Sequence, residues 1–287
     1  MKSILRFLDD LKLYGLIAGI HLSRFIPDAV LDTFMTVAAC IWYATDSYRK
    51  RAVENNLRIV LGEDFDRKLV CRTFINYMRN FTDVLKVKHR SCEDILRKVK
   101  LDGLDKIEPL RGQGFIFLTG HIGNWELGAS VPACVGFRAI AIVENIDPRW
   151  LKVLNSIRSH TGMELVTLGK ATPAIVKALK EGKVVMVATD RYVGGGKYEL
   201  VPFFGKRRKM PVGIFHLNEK LKKPMAFGYV VRDGKSYRAV VQDVYYGPYR
   251  TKEMLDFYVK NMEEAIRRYP DQWFSFDFGW VEAEERV

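Results

Sequence analysis

Two kinds of apolar periodicity divide this chain. In residues 64–87, DFDRKLVCRTFINYMRNFTDVLKV, the apolar positions Leu69, Val70, Phe74, Tyr77, Met78 and Phe81 recur at the 3.6-residue spacing of one helix face. Residues 48–62, YRKRAVENNLRIVLG, read as a basic helix closed by Gly62. Residues 252–269 place Leu255, Tyr258, Met262, Ile266 and Tyr269 on one side of a further helix. Between these stretches the pattern changes to short apolar runs ended by Gly or polar residues: 114–120 (GFIFLTG), 138–144 (RAIAIVE), 163–168 (MELVTL) and 183–190 (KVVMVATD). The intervening 172–182, TPAIVKALKEG, has Pro173 near its start and Gly182 after its end, the punctuation of a helix. Strands alternating with helices predict an α/β layer structure. In 225–246, Asp233-Gly234 separates two strand-like runs and predicts a hairpin. The expected fold is a mixed central β-sheet flanked by helices, with its antiparallel part near the C-terminus.

The first 45 residues differ. LKLYGLIAGIHLSRFIP (11–27) and AVLDTFMTVAACIWYAT (29–45) are apolar and suit helices, but neither is a clean spanning segment. His21 and Arg24 interrupt the first, Pro27 ends it, and Asp32 lies in the second, whereas a transmembrane helix wants ~20 mostly uninterrupted apolar residues. Asp9 and Asp10 ahead of the apolar run also fit a signal peptide poorly. Two readings stand: both helices pack on the main core, or they lie in a membrane interface with Lys2, Arg6, Lys12 and Arg24 near lipid phosphates. The expected division is a membrane-associating helical segment, 1–47, and a main domain, 48–287.

Composition narrows the partners. Lys and Arg outnumber Asp and Glu by 46 to 34, a net charge of +12, which favours an anionic membrane surface, an acidic carrier protein or nucleic acid. Zinc-finger, RNP and basic-zipper signatures are absent, so nucleic acid is not the expected partner. Cys40, Cys71, Cys92 and Cys134 form no CxxC pair and read as small core residues in a reducing compartment. GGGK (194–197) lacks phosphate-loop spacing and reads as a loop. GKRRK (205–209) and KLKK (220–223) suit a solvated basic face or a dock for a phosphorylated headgroup or acidic carrier. His21, His89, His160 and His216 read as structural. The aromatics of 269–280, YPDQWFSFDFGW, read as core, or as the wall of an apolar groove.

The chemistry concentrates in GHIGNWELG, 120–128, where a buried strand should end. Gly120 permits a tight turn, and Asn124 can cap a helix starting at Trp125. Along one straight helix His121 and Glu126 would stand ~140° apart. They converge if His121 lies on the turn and Glu126 on the first helical turn. Glu126 can then hold one imidazole nitrogen and leave the other to accept a proton, the arrangement of a general base. Without GxSxG or HExxH, the base would activate a substrate hydroxyl. The alternative is a histidine satisfied in a capping network.

HIGNWE after an apolar strand resembles the HxxxxD/E signature of glycerolipid acyltransferases, in the branch of the lipid A secondary acyltransferases and mycobacterial mannoside acyltransferases. In 144–162, ENIDPRWLKVLNSIRSHTG resembles the family's proline turn and helix, with Arg158 in the arginine's place. In 179–206, Asp190 ends a strand and Phe203, Phe204 and Gly205 supply an FFG. NNLRIVLGE (55–63) matches a weaker upstream block, so the likeness runs over residues ~50 to 280. The C-terminal block differs from the tryptophan- and arginine-rich end of the lipid A enzymes, and no threonine follows FFG. Those departures leave another glycolipid, a lysophospholipid or an aminolipid open as acceptor.

The resemblance implies a membrane-associated O-acyltransferase on the cytoplasmic face of a bacterial inner membrane. It would move an acyl group from an acyl carrier protein or coenzyme A thioester to a lipid hydroxyl, with no cofactor. His121 would be the base and Glu126 its orienting carboxylate. Asn124, Arg158, Asp190 and Arg191 would serve substrate or oxyanion, helped by N–H groups at the helix start. An apolar groove beside His121 is expected, walled by Ile122, Trp125, Leu127, Phe203 and Phe204. The rival readings are a hydrolase using the same dyad on water, and a non-catalytic basic protein that binds anionic membrane.

Overall fold

A computed structural model describes residues 2–158, 162–192, 194 and 196–281, with side chains from Asp10 onward except that of Arg158. The side chains of Lys2, Arg6 and Arg158, all of His160, and Gly195 within GGGK lie outside the described residues. Five helices open the chain: α1 (Lys2–Ser23), α2 (Asp28–Thr45), α3 (Ser47–Leu61), α4 (Lys68–Lys86) and α5 (Cys92–Lys98). There follow β1 (Val99–Asp102), β2 (Phe115–Thr119), α6 (Trp125–Cys134), β3 (Ala139–Val143), α7 (Pro148–Arg158), β4 (Glu164–Thr167), α8 (Ala171–Lys180) and β5 (Val184–Ala188). The chain continues through β6 (Tyr198–Phe203), β7 (Lys206–Pro211), α9 (Gly213–Leu221), β8 (Met225–Asp233), β9 (Ser236–Tyr245), α10 (Thr251–Arg268) and β10 (Trp280–Val281).

Seven strands form the central sheet in the order β1-β9-β8-β2-β5-β3-β4. The β8–β9 hairpin, turning at Asp233-Gly234 as its sequence predicts, supplies the antiparallel pairing. The other pairings of this sheet are parallel. That explains the unbroken apolar run of β2, since a parallel strand is covered on both faces. Ile116 and Leu118 join the cluster under α10, with Tyr258 and Met262. Phe115 and Phe117 face the other way, with Phe137, Met186 and Ala129 of α6. A second sheet, β10-β7-β6, was not foreseen, because the polar KRRKMP of β7 carries no alternation that announces a strand.

The N-terminal helices have one buried and one exposed apolar side. One side packs inward, burying Leu13, Ile20, Leu31, Met35 and Ala39. The other side leaves Tyr14, Phe25, Val30, Phe34, Val37 and Ile41 more than half exposed, from 54% at Val37 to 72% at Phe25. Among the described residues, no helix is long and apolar enough to cross a membrane.

The cysteine expectation is corrected. Cys92 and Cys134 are joined by a disulfide across Cα atoms 5.0 Å apart, tying the start of α5 to the end of α6; Cys40 and Cys71 are free. Pairing depends on Cα separation in the fold, which a gap of 42 residues does not reveal. The compartment argument drawn from scattered cysteines falls with it.

Candidate active site

Because β2 and β5 are parallel neighbours, with Thr119 opposite Ala188, their C-terminal ends come together. This is where open α/β sheets place their sites. His121 lies just beyond β2 and Asp190 just beyond β5. Asp190 Oδ1 accepts the His121 backbone N–H at 3.1 Å and meets Nδ1 of its ring at 2.8 Å. Asp190 Oδ2 accepts Trp273 Nε1–H at 3.2 Å. Arg208 Nε donates to the Asp190 carbonyl at 3.2 Å, its guanidinium lying 5.3 Å from the Trp273 ring centroid and 5.2 Å from that of Trp280. Position 120, between β2 and His121, has no side chain, and a Cβ there would lie 3.3 Å from Asp190 Cγ and 2.3 Å from Met262 Cε.

Burial alone would push the Asp190 carboxyl up. The charge and hydrogen bond of His121, the charge of Arg208 and the Trp273 indole outweigh it and hold Asp190 well below the usual carboxylate range. An ionised carboxylate only accepts, so in the neutral ring Nδ1 carries the proton and Nε2 keeps its lone pair. The His121 side chain is 36% exposed while that of Asp190 is 2% exposed. The result is an oriented base with one usable nitrogen.

Several sequence assignments change here. The carboxylate on Nδ1 is Asp190, so the orienting role given to Glu126 passes to it at that nitrogen. Asp190 in turn leaves the oxyanion set, since it is buried and donates nothing. Glu126 is fully buried in the first turn of α6. Asn124 is the N-cap, as foreseen, its Oδ1 accepting the N–H groups of Glu126 and Leu127, each at 3.0 Å. The N–H of Gly123 goes to Gln272 O at 2.8 Å and that of Asn124 to Val230 O at 2.5 Å. These four amides are therefore occupied, and the expectation that they would hold an oxyanion is withdrawn. Gly123 is required here: its φ is +69° and a Cβ would lie 2.0 Å from Val230 O. Arg191, next to Asp190, pairs with Glu144 at 2.7 Å. Arg158 closes α7, and its side chain is not described.

An apolar cavity of about 210 Å³ lies between α6 and the sheet. Gly120, Ile122 and Trp125 line it beside His121, and Phe115 and Phe137 line it near the opposite end of β2. Leu127, Phe203 and Phe204 do not line it, which corrects their assignment. Leu127 is turned ~200° from Trp125 around α6 and packs with Ile20 and Val87 instead. Phe203 and Phe204 sit at the end of β6 on the α10 side, where the Phe204 N–H donates to Glu263 at 2.6 Å.

Sequence reading missed Arg208 and the role of Trp273 at Asp190. Residue 273 stands far from 190 along the chain, and its aromatic neighbours signalled only core or groove. The backbone of 272–274 pairs with the turn that carries His121, Phe274 N–H donating to His121 O at 2.8 Å.

Comparison with individually curated proteins finds no match. Compared with models of protein families, residues 5–280 match the one described as bacterial lipid A biosynthesis acyltransferase. The match covers nearly the whole chain, and so this protein belongs to the bacterial lipid A biosynthesis acyltransferase family.

Proposed function

We propose that the protein transfers a fatty acyl group from a thioester to a hydroxyl of a lipid A-type acceptor, with His121 as general base. One observation carries this reading: the imidazole held through Nδ1 by buried Asp190 belongs to the turn whose neighbouring residues Gly120, Ile122 and Trp125 line an apolar cavity. His121 Nε2 takes the proton of the acceptor hydroxyl as its oxygen attacks the thioester carbonyl carbon. The C–S bond of the tetrahedral intermediate then breaks, and the imidazolium returns its proton to the leaving thiolate. Asp190 fixes the tautomer and stabilises the imidazolium; Glu126, on the same turn, adds a second buried acidic group. With the amides of Gly123, Asn124, Glu126 and Leu127 occupied, we assign the developing oxyanion to guanidinium groups, those of Arg158 and Arg191. General-base action is worth roughly 10²–10⁴ in rate.

The donor is acyl carrier protein or acyl-coenzyme A, and the acylation is a late one. The exposed apolar side of α1 and α2, with the net charge of +12, supports seating on the cytoplasmic face of the inner membrane. On this reading residues 1–47 seat the enzyme and 48–287 carry the chemistry.

The test is acyl transfer from each thioester to an added lipid A precursor, followed by mass spectrometry. His121→Ala should abolish transfer while circular dichroism and vesicle binding stay at wild-type levels. Near-normal turnover by a folded His121→Ala protein would remove the mechanism. Thioester hydrolysis that ignores the acceptor would favour the hydrolase.

A further inference from the structure

On the α4 side of the catalytic turn lies a buried polar cluster with no part in the chemistry just described. Asp83 of α4 is 2% exposed. Its Oδ1 accepts Arg90 Nη1, and its Oδ2 accepts the Tyr237 hydroxyl and, at 2.6 Å, Asn124 Nδ2. Three residues earlier on α4, the buried Asn80 donates from Nδ2 to Gly123 O at 3.0 Å. Two consecutive residues of the turn between His121 and Glu126 therefore hang from one helix.

Packing does not call for a carboxylate here. A buried charge is costly unless donors surround it, and a neutral apolar group would fill the space more cheaply. What the carboxylate adds is polarity of one sign. It accepts only, so Asn124 must offer it the NH₂ end of its amide. That turns Asn124 Oδ1 onto the N–H groups of Glu126 and Leu127. Burial, followed by the charge of Asp83, pushes the Tyr237 phenol far above its ordinary value, so it stays a donor. Arg90 continues outward to Asp28 Oδ2 at 2.8 Å, and Lys86 holds the other Asp28 oxygen at 2.7 Å. The carboxylate is thus braced against the first residue of α2.

We propose that Asp83 is a positioning residue of the acyl-transfer site. By fixing the orientation of the Asn124 amide, it sets the turn from His121 to Glu126 against Asp190 and the mouth of the cavity. The effect on rate rests on the acyl-transfer reading; the effect on the geometry of His121 does not.

Three variants test it: Asp83→Asn, the exchange Asp83→Asn with Asn124→Asp, and Tyr237→Phe. Asp83→Asn should lower kcat about tenfold, with KM for thioester and acceptor changed by less than about twofold. The exchange keeps a carboxylate and an amide facing each other and should recover most of the loss. In parallel, the His121 ring signals of ¹⁵N-histidine-labelled protein, assigned with His121→Gln, should titrate at a shifted midpoint in Asp83→Asn and return in the exchange variant. A loss of folded protein with wild-type kcat per folded molecule, and an unmoved His121 titration, would mark Asp83 as merely structural and overturn the proposal. If Asp83→Asn does not fold, Tyr237→Phe, which spares the ion pair, decides it: kcat falls by about threefold with a shifted titration, or the proposal fails. If the wild type transfers no acyl group, the acyl-transfer reading fails, and the His121 titration alone judges the role of Asp83.

Discussion

His121 can act as a base because of what holds its other nitrogen. Asp190→Asn keeps the shape but offers Nδ1 an amide that can donate. The proton then moves to Nε2, and the base is lost, so kcat should fall by roughly 10²-fold or more, measured at saturating thioester and acceptor. The same substitution has a pH signature. The folded-state carboxyl of Asp190 titrates below its unfolded value of ~3.9, so its stabilisation is complete well above that value and is lost as pH falls towards the folded one. The melting temperature of the wild type should exceed that of Asp190→Asn most at neutral pH, and the gap should close below about pH 4. A gap that widens on acidification would contradict the assigned direction.

Among the elements, α2 joins two environments. Leu31, Met35 and Ala39 are buried against the helices behind, and Arg79 of α4 clamps Asp32 at 2.5 Å. Its outward residues Val30, Phe34, Val37 and Ile41 remain exposed, a contiguous apolar stripe of the kind that marks an interaction surface. With the basic excess of the chain, the proposed function makes an anionic bilayer its partner. Phe34→Asp with Val37→Asp should therefore cut sedimentation with anionic vesicles sharply and leave the melting temperature within a degree or two. Raised salt should weaken wild-type binding only in part, because screening acts on the charges and not on the apolar stripe. Wild-type vesicle binding by the double variant would remove α2 from the membrane contact.

At the scale of the molecule, on the proposed function the cavity under α6 would set the length of the acyl chain. From Gly120 to Phe115 the strand advances ~16 Å, room for an extended acyl chain of on the order of a dozen carbons. The rings of Phe115 and Phe137 meet edge to face with centroids 6.0 Å apart at that distant end, and Arg111 lies over Phe137 at 4.1 Å. Each buried methylene contributes ~0.8 kcal/mol, about a fourfold preference. Phe137→Leu should thus shift the acyl profile towards longer chains, measured by competition among thioesters, without abolishing turnover. An unchanged profile would place the end of the chain elsewhere.

How much of this was legible beforehand follows from the range of the forces involved. Periodicity, glycine punctuation and the Asp233-Gly234 turn are local, and from them came the long helices, six of the seven strands of the central sheet (all but β1) and its antiparallel hairpin. Asn124 as a cap was legible for the same reason, since capping acts over two or three residues. His121 stood out because a histidine where a buried strand ends has no packing purpose. Its partner could not be read this way. Glu126 is near in sequence, but Asp190 is near in space, because parallel pairing of β2 with β5 aligns their ends. Arg208 and Trp273 around Asp190, the Asp83 brace behind Asn124 and the Cys92–Cys134 disulfide share that origin. A hydrogen bond or disulfide acts over a few ångströms, and no local signal marks which distant residues the fold will bring within that range. The sequence by itself determined most of the elements and singled out His121 as the candidate base. Only the tertiary structure decided which carboxylate holds His121, which amides are already occupied and which apolar side chains line the cavity beside it.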